Sequence, residues 1–317
     1  MAVLVGDIGG TNGRFGLAEK GGLRPDRIDV EPGDDHASFE DALGAYLEKT
    51  GEKPDRAALA VAGPVDDEGR ARITNRKSWT IDPQALKRRF GFSDVLIMND
   101  FVAQAASLPH LQNDETILIG DARPRRAVKA AVGPGTGLGV ASLVPEGDDG
   151  WRPLPSEGGH IEFAAVDAHE SAAFGVFRRR FGRVSAEYVV SGPGLARLHD
   201  ALAEVEGRKA PGLDPAAVTK AALDGDPEAS ATAALFLTML ARFAGDMALS
   251  FGAKGGVYLC GGVAPRLVPA LDVAAFRAAF DAKSPHEEMM RATATAVVTS
   301  PIAGLIGASA MAARGRV

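Results

Sequence analysis

The stretch Ala2-Val3-Leu4-Val5-Gly6-Asp7-Ile8-Gly9-Gly10-Thr11-Asn12-Gly13-Arg14-Phe15-Gly16-Leu17-Ala18 decides how this chain is read. Apolar residues lead in, a glycine-rich turn follows, and Phe15 and Leu17 alternate out of it. The spacing predicts strand, turn, strand. Asp7 stands at the mouth of the turn. Successive backbone N–H groups of such a turn form a concavity for an anion, and Thr11 adds a hydroxyl. A carboxylate beside a phosphate is repulsive unless a cation lies between them. That points to Mg2+, with Asp7 as a direct or water-mediated ligand. The same residues also read as a plain hairpin with turn glycines and a capping aspartate.

Working outward, the logic returns once. Ala127–Val132 leads into Gly133-Pro134-Gly135-Thr136-Gly137-Leu138-Gly139, and Val140–Val144 leaves it. This reads as a weak duplication of one supersecondary unit, too few copies for a repeat array. Two anion cradles, at Gly6–Thr11 and Gly135-Thr136-Gly137, suit a polyphosphate gripped from two sides. Gly261-Gly262, after the predicted strand Gly256–Cys260, is a third point of close backbone approach, where a flat ring fits. Other phosphate signatures are absent from the sequence. There is no G-x-x-x-x-G-K-[ST], and the second glycine run is G-x-G-x-G-x-G, not the dinucleotide fingerprint.

Between the glycine turns, helices and strands alternate. Ser38–Lys49 carries Phe39, Leu43, Tyr46 and Leu47 on one helical face. Asp82-Pro83 reads as an N-cap with proline at the first helical position, and Gly91 as the stop. Short strands are expected at Ala57–Ala62, Val95–Met98 and Ala294–Val298. Helices are expected at Pro227–Phe251, Val273–Lys283 and Pro301–Arg314. This alternation argues an α/β class.

Composition excludes several function classes. The chain has 317 residues, enough for two or three folding units. Its net charge of -6 and its short basic runs, without interleaved aromatics, argue against a nucleic-acid partner. One cysteine, Cys260, rules out an intrachain disulfide and a thiolate zinc cluster. No signal peptide is expected, because Asp7 arrives after too short an apolar run, and no run approaches the ~20 apolar residues of a span. The expectation is a cytoplasmic protein with no membrane association.

Three further segments hold candidate chemistry. Asn99-Asp100-Phe101 lies where a strand ends and a helix begins, the place where α/β sheets bind ligands. There Asp100 is placed to accept a proton from a hydroxyl; helix capping accounts for the same pair. Glu157-Gly158-Gly159-His160 offers acceptor and donor groups to a polyol, or is a solvated surface turn. Glu187, two residues after Ser185, reads locally as a helix N-terminal acid.

Together these segments resemble the bacterial glucokinase family, within the actin/hexokinase-like ATPase superfamily. Gly6-Asp7-Ile8-Gly9-Gly10-Thr11-Asn12 resembles its first phosphate motif and Gly133–Gly139 its second. Gly261-Gly262-Val263-Ala264-Pro265 resembles its adenosine-side motif. Asn99-Asp100-Phe101, Glu157–His160, Ser185-Ala186-Glu187, Ser191-Gly192-Pro193-Gly194 and Thr74-Asn75 resemble its sugar-side segments. The order is kept from Gly6 to about Gly307. The resemblance implies a two-domain actin-like ATPase (ribonuclease H-like) fold with the active site in the interdomain cleft. The small α/β domain would span 1–110 plus 301–317, and the large one 111–300. It implies phosphoryl transfer from MgATP to the 6-hydroxyl of glucose, with Asp100 as base. Asn99, Glu157, His160 and Glu187 would hold the remaining hydroxyls, in a homodimer. A non-catalytic sugar or nucleotide sensor, or a kinase for another hexose, remain the alternatives.

Overall fold

The computed structural model describes residues 2–74, 76 and 79–314. Asn75, matched above to a sugar-side segment, lies outside the described residues. The chain divides into two units. One is Met1–Asn113 with Trp151–Pro155 and Ser300–Val317; the other is Asp114–Gly150 with Ser156–Thr299.

The first unit is built on a sheet of β1 (Ala2–Ile8), β2 (Asn12–Glu19), β3 (Asp26–Pro32), β4 (Arg56–Val61) and, after the short β5 (Ala71–Arg72) and β6 (Thr80–Ile81), β7 (Asp94–Asn99). The order is β3-β2-β1-β4-β7. β1–β2 and β2–β3 are antiparallel, whereas β1–β4 and β4–β7 are parallel. Alternation across the pleat gives β1 two faces. Leu4 and Ile8 enter a core with Phe15, Phe39, Leu43 and Tyr46. Val3 and Val5 enter a second core with Ala103, Leu305 and Ala308. The first core is covered by α1 (Phe39–Thr50), capped by Ser38 and stopped by Gly51 in the left-handed region. Helix α2 (Pro83–Phe90) is capped by the Asp82 side chain and stopped by Gly91. The second core is covered by α3 (Asp100–Ser107) and the C-terminal helix Ala303–Arg314. Gly307 is required there, because a Cβ at that position would fall 1.8 Å from the Ala103 carbonyl oxygen.

The second unit holds β8 (Thr116–Leu118), β9 (Lys129–Pro134), β10 (Leu138–Glu146), β12 (Gly256–Leu259) and β13 (Thr295–Val298); β11 is Gly150–Ser156. From β10 its sheet runs β10-β9-β12-β13-β8. β10–β9 is antiparallel, β9–β12 and β12–β13 are parallel. In each unit, therefore, a glycine hairpin passes its first strand to two parallel neighbours, which is the duplication read from the sequence. The second hairpin's turn is tighter than expected. Gly133 and Pro134 belong to β9, paired with Gly139 and Leu138, which leaves Gly135–Gly137 as the turn. Helices α4 (Ala168–Phe181), α5 (Ala186–Val189), α6 (Gly192–Val205), α7 (Pro215–Leu223), α8 (Pro227–Phe251), α9 (Ala264–Leu267), α10 (Val273–Asp281) and α11 (Glu287–Arg291) complete the unit. Among the described residues α8 alone is long and apolar enough to cross a membrane. Its Phe236, Leu240, Phe243 and Met247 are buried in this unit's core.

Candidate active site

In the first unit the chemistry gathers at the C-terminal ends of the parallel strands β1 and β7. Asp7 is the penultimate residue of β1, opposite Arg14 on β2 and Ala60 on β4. The pleat puts it on the face shared with the C-terminal helix, where a Cβ on Gly304 would lie 2.6 Å from Asp7 Oδ2. Gly6 and Ile8 point the other way. Ile8 is fully buried, and a Cβ on Gly6 would meet Leu59 Cδ2 at 2.7 Å. The side-chain sides of these two expected phosphate contacts face packing, and the open part of the motif is Gly9-Gly10-Thr11. That turn is closed by the Gly9 N–H donating to the Asn12 carbonyl at 3.0 Å, with Thr11 exposed.

Asp100 is the first residue of α3. Burial and the neighbouring Asp7 charge push its carboxyl up to about 7, against the Phe101 N–H and Asn99, which favour the ionised form. Burial also raises Asp7, and the Arg14 guanidinium opposes it. Arg14 is itself fixed, donating to the Pro301 carbonyl at 2.6 Å. Two buried carboxyls, one of them raised by the charge of the other, fit a hard cation, which takes oxygen ligands and relieves that repulsion. Asn99 caps α3: its Oδ1 accepts from the Phe101 N–H at 2.8 Å, and its Nδ2 donates to the Gly63 carbonyl at 3.3 Å. The capping role is real, and the Asn99 side chain also hydrogen-bonds the Asp100 carboxylate.

In the second unit the turn Gly135–Gly137 is held on two sides. The Gly192 N–H donates to the Gly135 carbonyl at 2.8 Å, and the Val263 N–H to the Pro134 carbonyl at 3.1 Å. Thr136 is exposed at the tip. Gly261 has φ +80°, and a Cβ there would lie 2.8 Å from the Pro134 carbonyl oxygen; Gly262 faces open space. Beside this turn stands Glu187, on α5, accepting the Leu138 N–H through Oε2 at 2.9 Å. A Cβ on Gly137 would fall 2.5 Å from that oxygen. His160 Nδ1 is 3.9 Å from Glu187 Oε1, and its Nε2 is 3.8 Å from Glu157 Oε2. The glycines of this segment permit the approach, since a Cβ on Gly159 would overlap the Leu138 carbonyl at 1.9 Å. The structure thus brings Glu157, His160 and Glu187 together at the start of β10. Among the described residues no cluster of His, Cys, Asp and Glu has the makeup of a metal centre.

Sequence reasoning missed Arg14, Gly304 and Arg76. The hairpin register carries a signal for the first, since residue 14 falls opposite residue 7. The pair Gly304 and Gly307 marks a close helix approach. Nothing local marks Arg76.

Two mixed sheets built on glycine hairpins, each with carboxylates beside the turn, define an α/β fold of the sugar-kinase type. The glucokinase of an Antarctic psychrotroph superposes with a TM-score of 0.87 over 99% of both chains at 34% identity. A ROK-family glucokinase from Streptomyces griseus, solved with glucose and AMPPNP, shares the fold at 20% identity. Its TM-score is 0.68, covering 99% of this chain and 100% of that one. A glucokinase from Chromohalobacter salexigens is 43% identical across 96% of this chain and 95% of its own. The Glucokinase family model matches residues 4–315. The chain belongs to the glucokinase family.

Proposed function

We propose that this chain transfers the γ-phosphoryl group of ATP to the 6-hydroxyl of glucose, with Asp100 as general base. The observation that carries the reading is the Asp7–Asp100 pair beside the Gly9–Thr11 turn, with Asp100 held near neutrality at about 7. A base poised near the working pH gives the best compromise between being ionised and taking a proton. As the hydroxyl oxygen forms its bond to phosphorus, its proton passes to an Asp100 carboxylate oxygen, and the bond from phosphorus to the ADP oxygen breaks. Bound Mg2+, held by Asp7, would neutralise charge on the phosphates. Asn99, Glu157, His160 and Glu187 hold the other sugar hydroxyls, so a sugar lacking one leaves a polar group unpaired and is rejected by as much as ~10⁴-fold. Gly135-Thr136-Gly137 takes the phosphate tail from its other side, and Gly261-Gly262 receives the adenosine. The two half-sites act on one substrate pair. The same reading makes the protein a cytoplasmic homodimer with no nucleic-acid or membrane partner.

The test is a panel of hexoses with ATP and Mg2+, read by ADP release and by identification of the phosphorylated carbon. Glucose-dependent release with phosphate on the 6-oxygen supports the reading. Sugar binding without turnover makes the chain a sensor, and turnover with another hexose reassigns the substrate.

A further inference from the structure

Arg76 belongs to none of the motifs above, yet its guanidinium spans three groups. Its Nε donates to the Gly10 carbonyl at 3.0 Å and its Nη1 to the Gly33 carbonyl at 2.9 Å. Its Nη2 pairs with Asp34, and the Trp79 ring lies 5.1 Å from Cζ. The side chain is 16% exposed. Position 33 has to be glycine for this, because a Cβ there would sit 2.8 Å from both Cζ and Nε. Gly33 makes a second tie, donating its N–H to the Thr11 carbonyl at 2.8 Å.

We propose that Arg76 is a positioning residue that sets the Gly9–Thr11 turn for the phosphates of the nucleotide, an inference that rests on the function proposed above. The reason is the planarity of the peptide. The Gly10 carbonyl and the Thr11 N–H belong to one trans unit and point in opposite directions. Drawing the carbonyl onto the guanidinium turns the Thr11 N–H away from Arg76. Glycine-rich turns otherwise sample several backbone conformations, each with different amide directions. Arg76 selects one before any ligand arrives. Lysine does not replace it, since one ammonium lacks the planar fork that meets two carbonyls and a carboxylate together.

The experiment is steady-state kinetics of Arg76→Ala and Gly33→Ala with glucose and MgATP varied separately. Gly33→Ala keeps the charge but displaces the guanidinium. Misplacing phosphate ligands is expected to raise KM for ATP on the order of tenfold or more, with KM for glucose within about twofold. Added methylguanidinium should restore the ATP value in Arg76→Ala, and ammonium should not. Unchanged KM for ATP, or equal rises in both KM values with no rescue, overturns the proposal. If Arg76→Ala fails to fold, Gly33→Ala carries the same two outcomes. If the parent releases no ADP with any sugar, the proposed function fails separately. Calorimetric titration of Mg-AMPPNP into parent and Gly33→Ala then decides: tenfold weaker binding supports the clamp, and equal binding overturns it.

Discussion

Asp100→Asn should abolish turnover and at the same time make the protein more stable. Asparagine keeps the size of the side chain and its bond to the Phe101 N–H, which Asp100 Oδ1 accepts at 3.0 Å. It removes the charge. Raising the carboxyl from 3.8 to about 7 on folding corresponds to about 4 kcal/mol against the ionised form. The sign follows from proton counting. Between pH ~4 and ~7 the folded chain holds this proton and the unfolded chain does not, so its stability falls as pH rises through that window. Above ~7 the full cost is present. The variant never bears it. Its gain over the parent should be near zero at pH 4, grow to at most about 4 kcal/mol by pH 8, and stay level beyond. Urea unfolding with metal removed, followed by circular dichroism at pH 4, 6 and 8, reads this difference. Turnover at pH 8 should drop ~10²–10⁴-fold with sugar binding kept. A variant less stable than the parent at pH 8, or a gain independent of pH, would refute the electrostatic argument and leave Asp100 as an acceptor for the Phe101 N–H in the first turn of α3.

Other outcomes follow from single contacts. Glu157→Ala should raise only KM for glucose, because among the described residues its carboxylate pairs with His160. Glu187→Ala should raise KM for glucose and for ATP together, since the Leu138 N–H loses its acceptor; separate substrate titrations distinguish the two. Gly304→Ala, whose Cβ would press on Asp7 Oδ2 at 2.6 Å, should raise the Mg2+ needed for half-maximal rate on the order of tenfold. Lys129 is buried and its amine lowered to about 8 by desolvation. The folded chain gives up that proton first, so stability relative to Lys129→Met should rise by about 3 kcal/mol between pH 8 and 10.5. Denaturant titrations across that range check it.

Features written in neighbouring residues were legible in the sequence. The cap at Asp82 and the left-handed stop at Gly91 need only a few adjacent positions, and α8 ends at Gly252 as its pattern predicts. Pairing information was not local. Gly133 and Pro134 look like turn residues, but β10 and the Val263 N–H keep them in strand geometry. Gly6 looks like a turn glycine, but Leu59 on the adjacent strand fills the space where its Cβ would lie. The raised carboxyl of Asp100 arises from burial and from Asp7, two conditions that only the folded sheet creates. Arg76 reaches its partners across the first unit, so nothing around residue 76 announces it.

One oxygen of Glu187 is engaged by the amide of Leu138, the first residue beyond the Gly135–Gly137 turn. A sugar that recruits this oxygen must share it with that amide or draw it away. If it draws it away, the turn relaxes while the sugar is seated, and a nucleotide arriving second meets a softer bed than one arriving first. Binding of the sugar is weakened by the same factor when the nucleotide is already seated, and this reciprocal coupling originates in a single carboxylate.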